Sequence, residues 1–347
     1  MPGLSDLPIP LDFAPMEAKL VDDLPTGPGW RFEPKWDGFR CLAFKAGAAV
    51  ELKAKSGKPL GRYFPDMVEA LKALPVARFV VDGELTIAVG GELSFDALQM
   101  RLHPAESRVR RLAAETPATL VLFDCLMGAR GRSLADAPLS ERRAALEALF
   151  ARFKGAEHLR LSPGTTDRDE ARKWLAQTGA ALDGVVAKRL DGPYVSGERA
   201  MLKIKRMRSA DCVVGGFRYE RDSRLVGSLL LGLYDDAGKL DHIGFTATIT
   251  DAERPALTRR LEKLAGGAGF TGSAPGGPSR WSDGRSAEWT PLKPELVVEV
   301  RYDHVTGDRF RHGAKLLRFR PDKAPRQCML AQLRAEAAPD QLLAKLE

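Results

Sequence analysis

Apolar and polar positions along this chain change period several times, from two to between three and four and back, so the pattern predicts an α+β protein. Residues 30–33 (Trp30, Arg31, Phe32, Glu33) alternate as a half-buried strand does, and Cys41-Leu42-Ala43-Phe44 is an apolar run of strand length. Residues 78–87 and 119–126 are longer β-branched and apolar runs that end at polar residues, as buried strands do. Between 139 and 153, Leu139, Arg142, Leu146, Leu149, Phe150 and Phe153 share one helical face, with Arg142 its only polar member. A second helix is predicted over 167–177. Thr165 and Thr166 are its N-cap candidates, Gly179 closes it, and Ala171, Trp174 and Leu175 turn inward.

The composition changes after Arg208. Short strands at 212–217, 229–234, 243–248 and 296–302 are spaced by turn residues, and Asp235-Asp236-Ala237-Gly238 supplies a hairpin connection. With one helix at 253–264, the simplest architecture for this count is a small β-barrel. The Gly-, Pro- and Ser-rich stretch 266–278 reads as a flexible loop, and 331–347 as a short terminal helix with a frayed tail. These readings give a first domain over 1–207, a second over 208–335 and a tail over 336–347.

A length of 347 residues with 44% hydrophobic and 29% charged positions fits a two-domain globular protein. There is no apolar run of membrane-spanning length, and Asp6, Asp12, Glu17, Asp22 and Asp23 stand where a signal peptide needs a basic start and an apolar centre. The expected location is the cytoplasm, without membrane contact and as a monomer. Cys41, Cys125, Cys212 and Cys328 are scattered singly and are expected to be four free thiols. The formal net charge is +7 and unevenly spread. Residues 199–208 hold five basic side chains and no acidic one, and 301–326 hold eight against Asp303, Asp308 and Asp322. Such clusters fit contact with a polyanion.

The chemistry concentrates at Lys35-Trp36-Asp37-Gly38-Phe39-Arg40, predicted to be a loop between the first two strands. It joins a candidate amine nucleophile, a carboxylate and a guanidinium around a glycine that permits close approach. Further short motifs follow: Asp82-Gly83-Glu84, Phe123-Asp124, Asp183-Gly184-Val185-Val186-Ala187-Lys188, Lys203-Ile204-Lys205 and Arg320-Pro321-Asp322-Lys323. The alternation at 202–205 sends Lys203 and Lys205 out of one strand face, where they would suit a phosphate.

In this order, the motifs resemble those of the covalent nucleotidyltransferases, specifically the ATP-dependent DNA ligases. The resemblance runs from about Pro15 to Arg326 and is greatest to the small bacterial C class and to the ligase module of the D class. It implies an adenylylation domain of antiparallel sheets and helices, followed by an OB-fold barrel. It also implies ATP and Mg²⁺ or Mn²⁺ as cofactors and nicked duplex DNA as substrate, with a repair polymerase or primase, or an end-binding protein, as candidate companions. Lys35 would take AMP as a phosphoramidate, with Asp37 beside it. Glu33, Arg40, Glu84, Phe123, Lys203 and Lys205 would hold the nucleotide, Glu84 at the ribose and Phe123 stacked on adenine. Asp183 would bind metal, Lys205 would assist at the α-phosphate, and Arg320 and Lys323 would orient pyrophosphate. Lys55, Arg309 and Arg311 would contact DNA. Lys55 stands where many members have arginine and Asp183 where many have glutamate. Burial together with the nearby cations Lys203 and Lys205 is expected to favour the neutral amine of Lys35. The alternatives are an RNA ligase or another polynucleotide nucleotidyltransferase, and a non-catalytic OB-fold nucleic-acid binder.

Overall fold

The computed structural model of the protein describes residues 3–153, 156–176, 182–276 and 288–333. Gly179, the end of the 266–278 loop and most of the helix predicted over 331–347 lie outside them. The chain folds as two compact units that divide between Arg206 and Met207.

The first unit runs through Ala18–Val21 (β1), Trp30–Trp36 (β2), Phe39–Ala46 (β3), Ala49–Ala54 (β4) and the helix Pro65–Ala73 (α1). Arg78–Thr86 (β5), the two-residue strands Ala88–Val89 (β6) and Glu92–Leu93 (β7), and the helices Phe95–Arg101 (α2) and Glu106–Glu115 (α3) follow. Thr119–Met127 (β8), Leu139–Phe150 (α4), Leu159–Leu161 (β9), Arg168–Ala176 (α5), Leu182–Arg189 (β10) and Met201–Ile204 (β11) complete it. One sheet has the order β1-β11-β10-β2 and the other β4-β3-β5-β8-β9. Two pairings, β1 with β11 and β8 with β9, are parallel where an all-antiparallel arrangement is expected. Their partners lie far apart in sequence, and only such long connections allow parallel neighbours.

Strand β3 shows why residues 41–44 read as an unbroken apolar run. Cys41 and Ala43 pack with Phe64, Met67 and Leu71 on one face, while Leu42 and Phe44 pack with Val80 and Leu126 on the other. Both faces of the sheet are covered, so alternation disappears. In α4, Leu139, Arg142, Leu146 and Leu149 are buried as their spacing predicts, although the helix stops at Phe150. The lone arginine on that face is buried because it meets a carboxylate, Asp124.

The second unit consists of Arg208–Tyr219 (β12), Val226–Tyr234 (β13), Leu240–Thr246 (β14), Arg254–Glu262 (α6), Thr290–Pro291 (β15), Val297–Tyr302 (β16), Val305–Thr306 (β17), Arg309–Phe310 (β18) and Lys315–Phe319 (β19). The main sheet has the order β14-β13-β12-β16-β19, with β15 also on β12. Its ladder is open. Its two edges meet through one parallel bridge, Thr246 to Ala314, where a fully paired barrel would carry a continuous ladder. The predicted hairpin forms at Asp235, whose carbonyl accepts from the amide of Gly238, and Gly238 supplies the left-handed φ of 74°.

One buried cation of the first unit has a purely structural task. The Lys45 ammonium, 2% exposed, donates to the carbonyls of Leu71 (2.6 Å), Lys72 (2.8 Å) and Leu74 (2.9 Å). These groups end α1, where helical carbonyls have no partner of their own. Lys45→Met keeps the volume and removes three donors. It is expected to lower stability by about 1–3 kcal/mol in urea unfolding, and a variant as stable as wild type would mean that water satisfies these carbonyls.

Candidate active site

A cleft of about 220 Å³ opens between the two sheets of the first unit. Glu33 and Lys35 are two residues apart on β2 and face the same way. Their partners on β10 are Val186 and Gly184, and Val186 in turn pairs with Lys203 on β11. The second sheet contributes Arg40 from β3, Glu84 from β5, which is paired with Arg40, and Phe123 from β8. Residues 15–18 and Lys55 complete the lining.

Lys35 is the penultimate residue of β2 and not part of a loop. Asp37 and Gly38 alone connect β2 to β3, which belong to different sheets, so the link is a crossing between layers and not a hairpin. A Cβ at Gly38 would stand 2.2 Å from the Leu85 carbonyl oxygen and 2.8 Å from Glu84 Cγ. Only glycine lets the crossing pass this close to β5.

The placement of Asp183 depends on a second glycine. The register of β10 against β2 shifts between Leu182 and Gly184, which makes Asp183 the extra residue of a bulge. Gly184 has φ 143°, and a Cβ there would lie 2.0 Å from the Ile204 carbonyl oxygen. The bulge turns Asp183 to Lys35, with Oδ2 at 2.6 Å from Lys35 Nζ and 3.1 Å from Lys205 Nζ. Burial pushes the Asp183 carboxyl up, but the two ammonium groups outweigh it and hold the group below its ordinary range. Burial lowers the Lys203 ammonium, and Lys35, Lys205 and Lys55 lower it further. Lys35, Lys55, Lys203 and Lys205 thus gather at one end of the cleft, which suits a polyphosphate. The nearest charge to the Lys35 amine is nevertheless Asp183, contrary to the expectation that cations dominate its surroundings.

The cleft floor is a run of buried ion pairs. The Arg40 guanidinium binds Asp82 through Nε (2.6 Å) and Nη2 (2.5 Å) and lies 4.6 Å from the centre of the Phe123 ring. Lys188 Nζ stands 4.8 Å from the same ring, 2.7 Å from Glu33 and 3.9 Å from Asp124. Asp124 pairs with Arg142 at 2.8 Å. Phe123 thus already carries two cations over its ring, as the negative face of an aromatic favours. Burial pushes Glu84 up to about 7 against the pull of Lys35 and Arg40, with Asp82 and Asp37 adding to the rise.

Glu33, Lys35, Arg40, Lys55, Glu84, Phe123 and Lys203 therefore line one cleft, with Asp183 bound to Lys35 and Lys205 bound to Asp183. Lys55 also pairs with Glu17 at 3.0 Å. Asp37 stands just after β2 in the first unit, and the remaining sequence-predicted residues lie in the second unit. There Arg320 Nη1 and Lys323 Nζ share Asp211, at 2.9 and 3.3 Å, and Arg320 also forks onto Asp322. That fork draws the Asp322 carboxyl down to about 2. Arg309 is exposed and donates to His242 Nδ1 at 3.0 Å, while the Arg311 amide donates to the His304 carbonyl. Burial lowers His242 to about 4, with Arg309 and Arg218 adding to the effect.

The sequence motifs contain Asp82, Asp124 and Lys188 without assigning them a role, and sequence reasoning missed Arg142 and Tyr194 as parts of this site. The available signal was charge within buried strands: Asp82, Asp124 and Lys188 interrupt apolar runs, which is tolerable only when each finds a partner.

A family model described as ATP dependent DNA ligase domain matches residues 15–205, and one described as ATP dependent DNA ligase C terminal region matches 222–323. The chain is 45% identical over 345 residues to DNA ligase C2 of Mycolicibacterium smegmatis, covering 94% of this chain and 96% of that protein. It is 43% identical to DNA ligase C of Mycobacterium tuberculosis, covering 94% and 95%. A solved structure of a Lig E DNA ligase is similar in fold, with a TM-score of 0.55, 17% identity and coverage of 88% and 99%.

Glu84 generates a pH-dependent expectation. Its carboxyl sits near 7 when folded against an ordinary 4.5, so the folded state retains a proton that the unfolded state gives up. The stability tied to that proton is full below about 4.5 and is lost as pH rises towards 7. Glu84→Gln removes the titration, and its stability relative to wild type should grow between pH 5 and pH 8 by on the order of 1–3 kcal/mol. Equal differences at both pH values in urea unfolding would show that Glu84 titrates normally.

Proposed function

The chain belongs to the ATP-dependent DNA ligases, and from that membership we propose that Lys35 is the residue that takes AMP. The observation that carries this reading is the Lys35 amine at the mouth of a lysine-rich cleft, with Asp183 against it and Glu84, Arg40 and Phe123 across from it. In the first step Lys35 Nζ bonds to the α-phosphorus of ATP, the bond from that phosphorus to the bridging oxygen breaks, and pyrophosphate leaves with the electron pair. The Lys35 ammonium gives up one proton to solvent before attack and a second as the phosphoramidate forms, and its nitrogen keeps one hydrogen. In the second step an oxygen of the 5′-phosphate at a nick attacks the same phosphorus and frees Lys35. In the third, the 3′-hydroxyl displaces AMP and closes the strand.

Only a neutral amine can attack, so Lys35 must leave its ion pair with Asp183. Lys203 and Lys205 favour the nucleotide phosphates by charge, and Arg40 and Glu84 are suited to the sugar side of the cleft. Phe123, which lines the cleft beside Arg40, is suited to stack on adenine. Asp183 already attracts two positive groups, and among the described residues no cluster of three or more acidic, His or Cys side chains forms a self-sufficient metal site. Both facts fit a Mg²⁺ or Mn²⁺ ion shared with substrate, since Mg²⁺ takes one or two carboxylates and fills its shell with phosphate oxygens and water. Bound at Asp183, it supplies charge neutralisation at the phosphate.

Arg320 and Lys323 of the second unit orient the departing pyrophosphate, and Lys55 of the first unit together with Arg309 and Arg311 of the second contact DNA phosphates. The setting we propose is DNA repair in the cytoplasm. The companion, a polymerase, primase or end-binding protein, is inferred from likeness to the ligase modules found with such partners. No described helix is long and apolar enough to cross a membrane.

Incubation with ATP labelled at the α-phosphate should add one AMP to wild type by intact mass and none to Lys35→Ala. Nicked DNA should then remove the label, and a labelled mutant would exclude Lys35.

The two units should also separate by step. Arg320→Ala and Lys323→Ala are expected to slow self-adenylylation at least about a hundredfold while sealing pre-adenylylated nicks within about threefold of wild type. Asp183→Ala should impair both reactions. Equal loss of both in the Arg320 and Lys323 variants would give that pair a role beyond pyrophosphate.

A further inference from the structure

Tyr194 lies between β10 and β11 and belongs to none of the ligase motifs, yet it is 4% exposed and its hydroxyl is fully engaged. It donates to Asp82 Oδ2 at 2.5 Å and accepts from the Met16 amide at 3.0 Å. Asp82 is the carboxylate that grips Arg40 from two directions, and Arg40 Nη2 returns a bond to the Met16 carbonyl at 3.2 Å. The circuit therefore runs from Tyr194 to Asp82, to Arg40, to Met16 and back to Tyr194. It joins the chain that edges the cleft to the guanidinium over Phe123.

The backbone around the circuit is tied in the same sense. The Val195 amide donates to Met16 Sδ, the Glu17 amide to the Glu198 carbonyl at 2.7 Å, and the Met201 amide to the Glu17 carbonyl at 3.1 Å. Asp82 alone could point its carboxylate at Arg40, but with no second donor its other lone pairs would be unsatisfied in a buried position. Burial and the Asp82 charge hold the tyrosine hydroxyl well above its ordinary range, so it remains a donor.

We propose that Tyr194 is a positioning residue for ATP capture, fixing through Asp82 the orientation of Arg40 over Phe123 and, through Met16, the edge of the cleft. The inference rests on the reading that this cleft takes ATP through Arg40. Tyr194 touches no substrate; it removes the freedom of Arg40 to rotate away from the position where the nucleotide meets it. Its loss therefore weakens capture and leaves the chemistry at Lys35 intact.

The test is a double-mutant cycle on self-adenylylation at varied ATP, with full-length protein and Mg²⁺. Tyr194→Phe keeps the ring packed against Phe13 and below Arg142 and deletes only the hydroxyl. It should raise KM for ATP about tenfold with kcat within about twofold, and should change nothing further when Arg40 is already alanine. Asp82→Asn, which keeps the shape and weakens the grip, should raise KM at least as much, and the two should not add. If Arg40→Ala raises KM and Tyr194→Phe does not, the inference fails while the reading of the cleft stands. If neither raises KM, the reading of Arg40 fails and takes the inference with it. A lower melting temperature and smaller adenylylation amplitude at unchanged KM would make Tyr194 merely structural and overturn the proposal.

Discussion

Lys188 carries a full charge into the space between two sheets with 3% of its surface exposed, and that placement is possible only because Glu33, at 2.7 Å, and Asp124, at 3.9 Å, are there to meet it. Asp124 is in turn neutralised by Arg142, and Asp82, its cross-strand partner on β5, is neutralised by Arg40. Three acids and three bases thus cancel beneath the cleft. Removing one member of such a set leaves a buried charge without a partner, at a cost of about 3–5 kcal/mol. The same pairs fix Arg40 and Lys188 over Phe123, so the stability of the first unit and the shape of its binding surface rest on one balance.

This balance explains what the sequence could and could not disclose. Apolar periodicity located β3, β5, β8 and the buried face of α4, because burial of carbon is what periodicity records. The Lys35 motif was legible because an amine, an acid and a glycine stand within a few residues. Its local geometry was not. The segment reads as a loop between two strands, while in the fold only Asp37 and Gly38 link them and the link crosses between sheets, which no local pattern discloses. Asp82, Asp124, Lys188 and Tyr194 were illegible as site residues for a related reason. Their partners lie between 18 and 178 positions away along the chain, as Arg142 does from Asp124 and Met16 from Tyr194.

Glycine serves the site twice in one manner. Gly38 lets β2 pass to β3 against the Leu85 carbonyl, and Gly184 lets β10 bulge against the Ile204 carbonyl. The first sets Lys35 beside its cleft and the second turns Asp183 to it. The Lys35 amine and its partner acid Asp183 are thus placed by backbone approaches that any side chain would block. Their precision comes from strands anchored in packed sheets, not from a flexible loop.

The cysteines point in another direction. All four are free and buried, and burial pushes Cys125 up to about 12 and Cys328 up to about 11, with Cys41 and Cys212 raised as well. Peroxides attack the thiolate, and these sulfurs are neither ionised nor reachable. Strand joining through a lysine uses no sulfur at any step. The packing that stabilises both units therefore also shields their thiols from oxidation.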